Sequence, residues 1–353
     1  MKTIQINASK PYRVIIGDDL LSSLPDYLPL GQKVVIVSDS NVWPLYGNIV
    51  TNLLENAGHE VFSYVFPAGE KSKSINTYSE ICNFLASCQI TRSSYLIALG
   101  GGVVGDMTGF VAATYLRGIS YIQIPTTVLA MVDSSVGGKT AVDIPAGKNL
   151  IGAFYHPDLV ICDLKLLKTL PDDVFVSGCA EIIKYAILYD HELFAHLAET
   201  GVSFNSEYVI YRCINLKRMI VEKDEFDHGD RQMLNLGHTI GHSIESISKY
   251  EISHGQAVAI GICIISAVSC SLGYCSQEFI SKIKNIFSKF GFILQIPYCA
   301  EDLARQILTD KKRAENDINL IIPIEIGNCQ IQKKPISQLQ SILEAGLTLW
   351  TLL

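Results

Sequence analysis

The sequence predicts an α/β domain followed by an all-α domain, and three observations carry that prediction. Short runs rich in β-branched and aromatic residues alternate with helical periodicities through the first half, which implies a mainly parallel sheet with helices on its faces. The second half changes to long 3.6-residue periodicities. Between the two patterns lies Leu170–Pro171, followed by Asp172 and Asp173; proline stops what precedes it and aspartate starts a helix. The boundary is therefore placed near Thr169, with one domain over 1–169 and the other over 170–353.

Taken in order, the opening MKTIQINASKPYRVIIG alternates like a strand pair and lacks the apolar run of a signal peptide. Lys33–Ser38, Glu60–Phe66, Tyr95–Leu99, Tyr121–Pro125 and Leu159–Cys162 read as strands, with Tyr46–Ala57 and Ile75–Ser87 as helices between them. Asp172–Leu188, Glu207–Glu225, Gln232–Ser248 and Gly255–Leu272 read as long helices. Ile318–Ile322 is the one strand expected in the second half. Ala257–Val268, the longest apolar stretch, is too short to span a bilayer and reads as a core helix.

With 353 residues, 48% of them hydrophobic and 18% charged, the chain can bury a large core. A net charge of −7 argues against nucleic acid, which ordinarily demands a basic footprint. Any anion must be met by locally gathered Lys and Arg. Ten scattered cysteines without a CxxC pair fit reduced thiols in a cytoplasmic protein. Cys82 and Cys179 read as core residues rather than nucleophiles.

Gly100–Asp106 reads GGGVVGD, directly after a strand and before a helical run. Glycine lets the backbone approach a ligand, and the following helix offers free N–H groups to a phosphate. Gly100, Gly102 and Gly105 satisfy the Rossmann-like dinucleotide pattern in the right context. Asp39 and Asn41 follow the earlier strand, where they read either as ribose ligands or as an ordinary polar turn. Asp133–Thr140, DSSVGGKT, resembles a phosphate loop, but Asp133 stands where the first glycine is required, which excludes a nucleoside triphosphatase. What survives is a glycine turn presenting Lys139 and a second, AGKNLIG, presenting Lys148 and Asn149, together a possible anion site.

Arg231, Asn235, His238 and His242 are spaced four, three and four apart, one stripe of a continuous helix. Two imidazoles, an amide and a guanidinium among Met233, Leu234, Ile240 and Ile244 read as the wall of a site. Burying each without a partner would cost roughly 2–7 kcal/mol. His238 and His242 have zincin spacing, but Thr239 replaces the adjoining glutamate, so a protease is excluded. Glu181 and Lys184 lie one turn apart in the apolar CAEIIKYAIL, and His254 opens the next helix. A carboxylate and two imidazoles make a catalytic-type zinc set, but spacing does not say which two of the three histidines bind.

The segments SDSNV, PAGEKSKS, ALGGGVVGDMTGFVAATYLRG, IPTTVLAMVDSSVGGKTAVD, GKNLIGAFYHP, CAEIIKYAI, LNLGHTIGHSIE and ISHGQAVAIG together resemble the 3-dehydroquinate synthase family, over nearly the whole chain. Its wider superfamily holds other sugar phosphate cyclases and metal-dependent polyol dehydrogenases. The resemblance implies an active site in the cleft between two domains, a homodimer, NAD and one divalent ion, Zn²⁺ or Co²⁺. It implies Glu181, His238 and His254 as metal ligands. For NAD it implies Asp39, Asn41, Glu70, Lys73, Gly101, Gly102, Val103, Asp106, Thr126, Thr127, Lys148 and Thr169, with Leu166 and Val174 near the nicotinamide. Asp133, Lys139 and Asn149 border both the cofactor and the substrate, which is further held by Lys184, Lys217, Arg231, Asn235, His242 and one of Lys311 and Lys312. Arg117 resembles an arginine lent across a dimer interface.

The implied reaction converts 3-deoxy-D-arabino-heptulosonate 7-phosphate to 3-dehydroquinate. NAD⁺ takes a hydride, the resulting ketone acidifies the neighbouring C–H, phosphate leaves, the hydride returns, and ring opening with an internal aldol closes the carbocycle. A polyol dehydrogenase would share the fold and metal set but would need none of Lys139, Lys217, Arg231 and Asn235. A cyclase acting on another sugar phosphate would change the residues around the carboxylate, and a non-catalytic NAD-binding regulator would have no use for intact ligands and lysines.

Overall fold

The computed structural model describes residues 1–296, 298–310 and 316–352, and the chain divides into two units. The first comprises Met1–Pro171 and Ser206–Phe226, the second Asp172–Asn205 and Asp227–Leu353.

In the first unit the chain runs β1 (Lys2–Ile6), β2 (Tyr12–Gly17), β3 (Lys33–Asp39), α1 (Asn48–Asn56), β4 (Glu60–Phe66), α2 (Ile75–Ser87), β5 (Tyr95–Gly100), α3 (Gly102–Thr114), β6 (Ser120–Pro125), β7 (Lys139–Ile144), β8 (Gly147–Phe154) and β9 (Leu159–Asp163). Among the described residues, seven strands form one sheet in the order β1-β2-β9-β6-β5-β3-β4. Only β1 is antiparallel to its neighbour; the other pairings are parallel. Central strands such as VVIV in β3 and LIAL in β5 are buried throughout, as a sheet covered on both faces requires. The order reverses between β3 and β5. Their carboxyl ends, at Asp39 and Gly100, flank the crevice in which open α/β sheets bind ligands.

The second unit contains α4 (Asp172–Tyr189) and α5 (His191–Thr200). The next helix, α6 (Ser206–Lys223), lies beyond the boundary expected near Thr169 yet belongs to the first unit. Its amphipathic pattern identified a helix but not its partner. That partner is set by pairs far apart in sequence: Asn7 donates through its backbone N and its Nδ2 to Glu222 Oε1 at 2.8 and 3.0 Å. The chain continues through α7 (His238–Ile247), α8 (His254–Ser271), α9 (Gln277–Lys289), α10 (Ala300–Asp310), β10 (Asp317–Glu325), β11 (Asn328–Pro335) and α11 (Leu339–Leu352). Among its described residues the second unit is thus helical apart from an antiparallel hairpin, of which the sequence showed one strand. Helix α8 is long and apolar enough by composition to cross a membrane, but 78% of it is buried inside the structure as a core helix.

Two further expectations change. The stripe from Arg231 to His242 is not one helix: a 3-10 turn, Asp230–Asn235, ends at Leu236, and α7 starts anew after Gly237. Gly237 has φ 75°, and a Cβ there would lie 2.5 Å from Ile262 Cγ1 and 2.8 Å from the Ile262 backbone N. The break thus lets α7 approach α8 backbone to backbone. The second expected glycine turn is instead the β7–β8 hairpin, with Lys148 and Asn149 at the start of β8.

Candidate active site

The second unit gathers Glu181 and Lys184 from α4, His238 and His242 from α7, and His254 from the first position of α8. Asp172 and Asp173, after Pro171, start α4 and favour its positive N-terminal end. Ser253 caps α8 by accepting from Gln256 N. Close α7–α8 packing brings the imidazole centroids of His238 and His254 to 5.4 Å of each other.

Glu181 is fully buried, with Lys184 Nζ at 2.5 Å, His238 Nε2 at 3.3 Å and His254 Nε2 at 3.5 Å. Lys184 pairs with Oε2 and both imidazole nitrogens face Oε1, so the buried carboxylate is met only by nitrogen groups able to share it with a metal ion. A buried carboxylate in that condition suits a cation. Burial opposes its ionisation, but Lys184 and then His238 outweigh that effect and hold the carboxyl well below the usual carboxylate range.

The imidazoles are set up as ligands. His238 Nδ1 lies 3.1 Å from Leu236 O, and a carbonyl only accepts, so Nδ1 carries the proton and Nε2 faces Glu181 with its lone pair. His254 Nδ1 lies 3.3 Å from Glu245 Oε2, which fixes that ring in the same way. Burial would lower the pKa of His254, but Glu181 and Glu245 push it up to about 10, so a metal ion binding at Nε2 would displace a proton from that nitrogen. Ligand atoms of Glu181, His238 and His254 all lie within 4.8 Å of one another. His242, Glu245 and His254 form a second such group, in which His254 is already engaged through Nδ1 by Glu245. The first group fits a divalent ion of the zinc type: one carboxylate and two imidazoles with fixed tautomers.

Arg231 is buried on the 3-10 turn that precedes α7, while Asn235 and His242 are exposed. Lys311 and Lys312 lie outside the described residues.

The first unit gathers most of the expected cofactor residues at the carboxyl ends of its strands. Asp39 ends β3 and accepts from Asn41 N at 2.9 Å and Val42 N at 3.0 Å through Oδ1, the Asx turn that was the plainer reading of this pair. Gly101 precedes α3, Gly102 and Val103 form its first turn, and Asp106 follows one turn later. Thr126 and Thr127 follow β6, with Thr126 N donating to Gly100 O. The N-terminus of α3 thus opens at the reversal of strand order.

Beside it, Lys73 Nζ donates to Asp106 Oδ2 at 2.5 Å and Asn149 Oδ1 at 2.6 Å, and Lys148 Nζ lies 3.3 Å from Glu70 Oε1. Burial would lower the Lys73 pKa, but Asp106 outweighs it and the value rises. Leu166 is buried and Thr169 Oγ1 is 2.5 Å from Tyr46 OH. Lys217 Nζ, on α6, donates to Asp133 O at 2.6 Å and Asp133 Oδ1 at 2.7 Å. Lys139 is exposed just beyond. Arg117 is not brought to this group: it is exposed after the C-terminal end of α3, with φ 66°. Val174, exposed at the start of α4, belongs to the second unit.

Cys179 is fully buried and Cys82 partly so, and burial raises both thiol pKa values, which suits core residues and not nucleophiles. Sequence reasoning missed Glu245, although a glutamate among the apolar positions of α7 was a visible signal. It also missed Tyr12, His156 and Glu225, which no local pattern links.

Comparison with known proteins bears on both units. Residues 63–177 match the family model for the 3-dehydroquinate synthase N-terminal domain, and residues 178–313 match that for the C-terminal domain. The 3-dehydroquinate synthase of Clostridium acetobutylicum is 43% identical over 94% of this chain and 96% of its own. That of Clostridium perfringens is 44% identical over 93% and 96%. Among solved structures, 2-epi-5-epi-valiolone synthase from Streptomyces hygroscopicus subsp. jinggangensis, with NAD⁺ and Zn²⁺ bound, matches with a TM-score of 0.89 at 26% identity, over 96% of each chain.

Proposed function

We infer the working site of a chain that belongs to the 3-dehydroquinate synthase family, and take that membership as the premise. The reaction is the conversion of 3-deoxy-D-arabino-heptulosonate 7-phosphate to 3-dehydroquinate and phosphate, dependent on NAD and a divalent metal. When bound, NAD⁺ and the ion supply reversible hydride acceptance and Lewis-acid polarisation of the substrate alcohol. The observation that carries the reading is the buried Glu181 carboxylate faced by His238 Nε2 and His254 Nε2, the three ligand atoms lying within 4.8 Å of one another.

Glu181, His238 and His254 hold the ion, Zn²⁺ or Co²⁺. Glu245 orients His254 and Leu236 O orients His238. Lys184 Nζ, 2.5 Å from Glu181 Oε2, is buried beside the ligand set and moves a proton at the reacting alcohol. NAD is held by Asp39 and Asn41, by the α3 N-terminus from Gly101 to Asp106, by Thr126 and Thr127, and by the Glu70, Lys73, Lys148 and Asn149 network, with Leu166 and Thr169 at its edge. Lys139, Lys217 and Arg231 supply the positive charge that a phosphorylated carboxylate needs in a chain of net charge −7. Asp133, Asn235 and His242 complete the polar contacts. Arg117, exposed in a left-handed conformation, serves a homodimer, and ten free thiols suit a cytoplasmic setting.

The test is turnover of the heptulosonate phosphate with divalent metal and substoichiometric NAD⁺, following phosphate and NADH together. Many phosphates released per NAD⁺, without accumulating NADH, is the expected result. NADH accumulating from a simple polyol, with no phosphate released, would overturn it in favour of a polyol dehydrogenase.

A further inference from the structure

The segment Asp133–Lys139 carries two of the inferred substrate contacts and is held at its start by Lys217 of α6 and at its end by Tyr12 of β2 and by His156. At its start, Lys217 Nζ on α6 bonds to Asp133 O and Oδ1 at 2.6 and 2.7 Å. At its end, Gly137 N donates to Tyr12 OH at 3.0 Å, and the Tyr12 ring stacks on His156 with centroids 5.3 Å apart. The His156 ring lies directly against Gly138: a Cβ there, at φ 69°, would come within 2.8 Å of its Nδ1 and Cε1. The other face of the arrangement returns to α6. His156 Nε2 lies 2.8 Å from Glu225 Oε1, just beyond the end of that helix. Glu225 is itself fixed by Ser9, whose N and Oγ donate to it at 2.9 and 2.5 Å.

The contacts close a ring: Lys217 to Asp133, along the chain to Gly138, across to His156, on to Glu225, and back along α6 to Lys217. Lys139, next after Gly138, stands where the ring meets the solvent. We propose that His156, held by Glu225, is a positioning residue for substrate binding, which sets the Gly137–Gly138 turn so that Lys139 and Asp133 face the phosphorylated substrate together with Lys217. The His156 side chain is buried, 2% exposed, and the half-buried Glu225 carboxylate, 16% exposed, is taken up by His156 and Ser9. The proposal rests on the reading of Lys139 and Lys217 as substrate contacts.

The test uses the holoenzyme. His156→Phe keeps the ring against Tyr12 and Gly138 but removes the bond to Glu225; His156→Gln keeps an amide donor for that bond. The expected result for His156→Phe is a roughly tenfold rise in KM for the heptulosonate phosphate, with kcat within about twofold of wild type. NAD⁺ and metal affinities stay unchanged, and His156→Gln recovers most of the KM. Unchanged KM in a folded His156→Phe protein would overturn the proposal. So would a joint fall of kcat, NAD⁺ affinity and Tm, which would make His156 structural only. If His156→Phe does not fold, Glu225→Gln is judged on the same readouts. If wild type does not turn over this substrate, the functional reading fails separately. The inference is then decided by calorimetric binding of inorganic phosphate: about tenfold weaker in the variant supports it, and equal affinity overturns it.

Discussion

Replacing Glu245 by Gln weakens metal binding without touching a ligand. Glu245 Oε2 lies 3.3 Å from His254 Nδ1, and its side chain is 7% exposed, so solvent does little to replace it. Gln keeps an acceptor oxygen but loses the charge. A hydrogen bond to a charged group contributes about 1.5–3 kcal/mol and a neutral one about 0.5–1.5, so the substitution removes roughly 1–1.5 kcal/mol. That corresponds to about tenfold in affinity, at the lower end of the ~10–100-fold range for partners that orient metal-bound histidines. Glu245→Ala, which removes the acceptor altogether, belongs at the upper end. The assay is competition for Zn²⁺ against a fluorescent chelator, with metal-stripped protein and no substrate. Activity at saturating metal recovers in the Gln variant, because the ligands are intact. Affinities within twofold of wild type for both variants would refute the idea that Glu245 orients His254, and would equally exclude Glu245 as a ligand in the second cluster.

Lys184→Met should retain about one metal ion per chain, measured by mass spectrometry of the metal, yet lose roughly 10²–10⁴-fold in kcat, the range of a lost acid–base group. Gly237→Ala should cost about 2–5 kcal/mol by denaturant titration, from left-handed strain plus forced contact with Ile262. Glu225 has its pKa lowered: burial opposes ionisation, but the Ser9 hydroxyl and His156 outweigh it. Because the unfolded chain then binds its proton more readily, the contribution of Glu225 to stability is present above the unfolded value near 4.5 and disappears as the pH falls through the folded value. Urea melts between pH 3 and 6 should show Glu225→Gln with a flatter acid limb than wild type.

Most of the first unit was legible because its strands are short, apolar and separated by helices of matching length. Glu60–Phe66 and Ile75–Ser87 have the expected bounds, since turn residues punctuate both. The β7–β8 hairpin was not legible: its eight-residue second strand is largely exposed and carries no apolar alternation to betray it. The proposed metal set was half legible. The carboxylate and the histidines stood out from apolar surroundings, but the choice among three histidines depends on which nitrogen a backbone carbonyl or a glutamate engages. The stripe from Arg231 to His242 misled because spacing alone assumes an unbroken helix, and Gly237 breaks it to admit α8. The placement of α6 lay beyond any local pattern, since Asn7 meets Glu222 across 215 positions of sequence.

That helix also decides how the chain can be dissected. A fragment ending at Pro171 contains every strand of the seven-stranded sheet, but it lacks the carboxylates that fasten Asn7, Ser9 and His156, and the ammonium that holds Asp133. No single cut yields two self-sufficient pieces, because each unit is built from two separate stretches. During synthesis the sheet is complete once Asp163 has been added, whereas its polar fastening arrives with Glu225, roughly 3–12 s later at ordinary elongation rates. For that interval the nascent sheet stands without its clasp, while α4 and α5, which belong to the other unit, are made before α6 returns to the first.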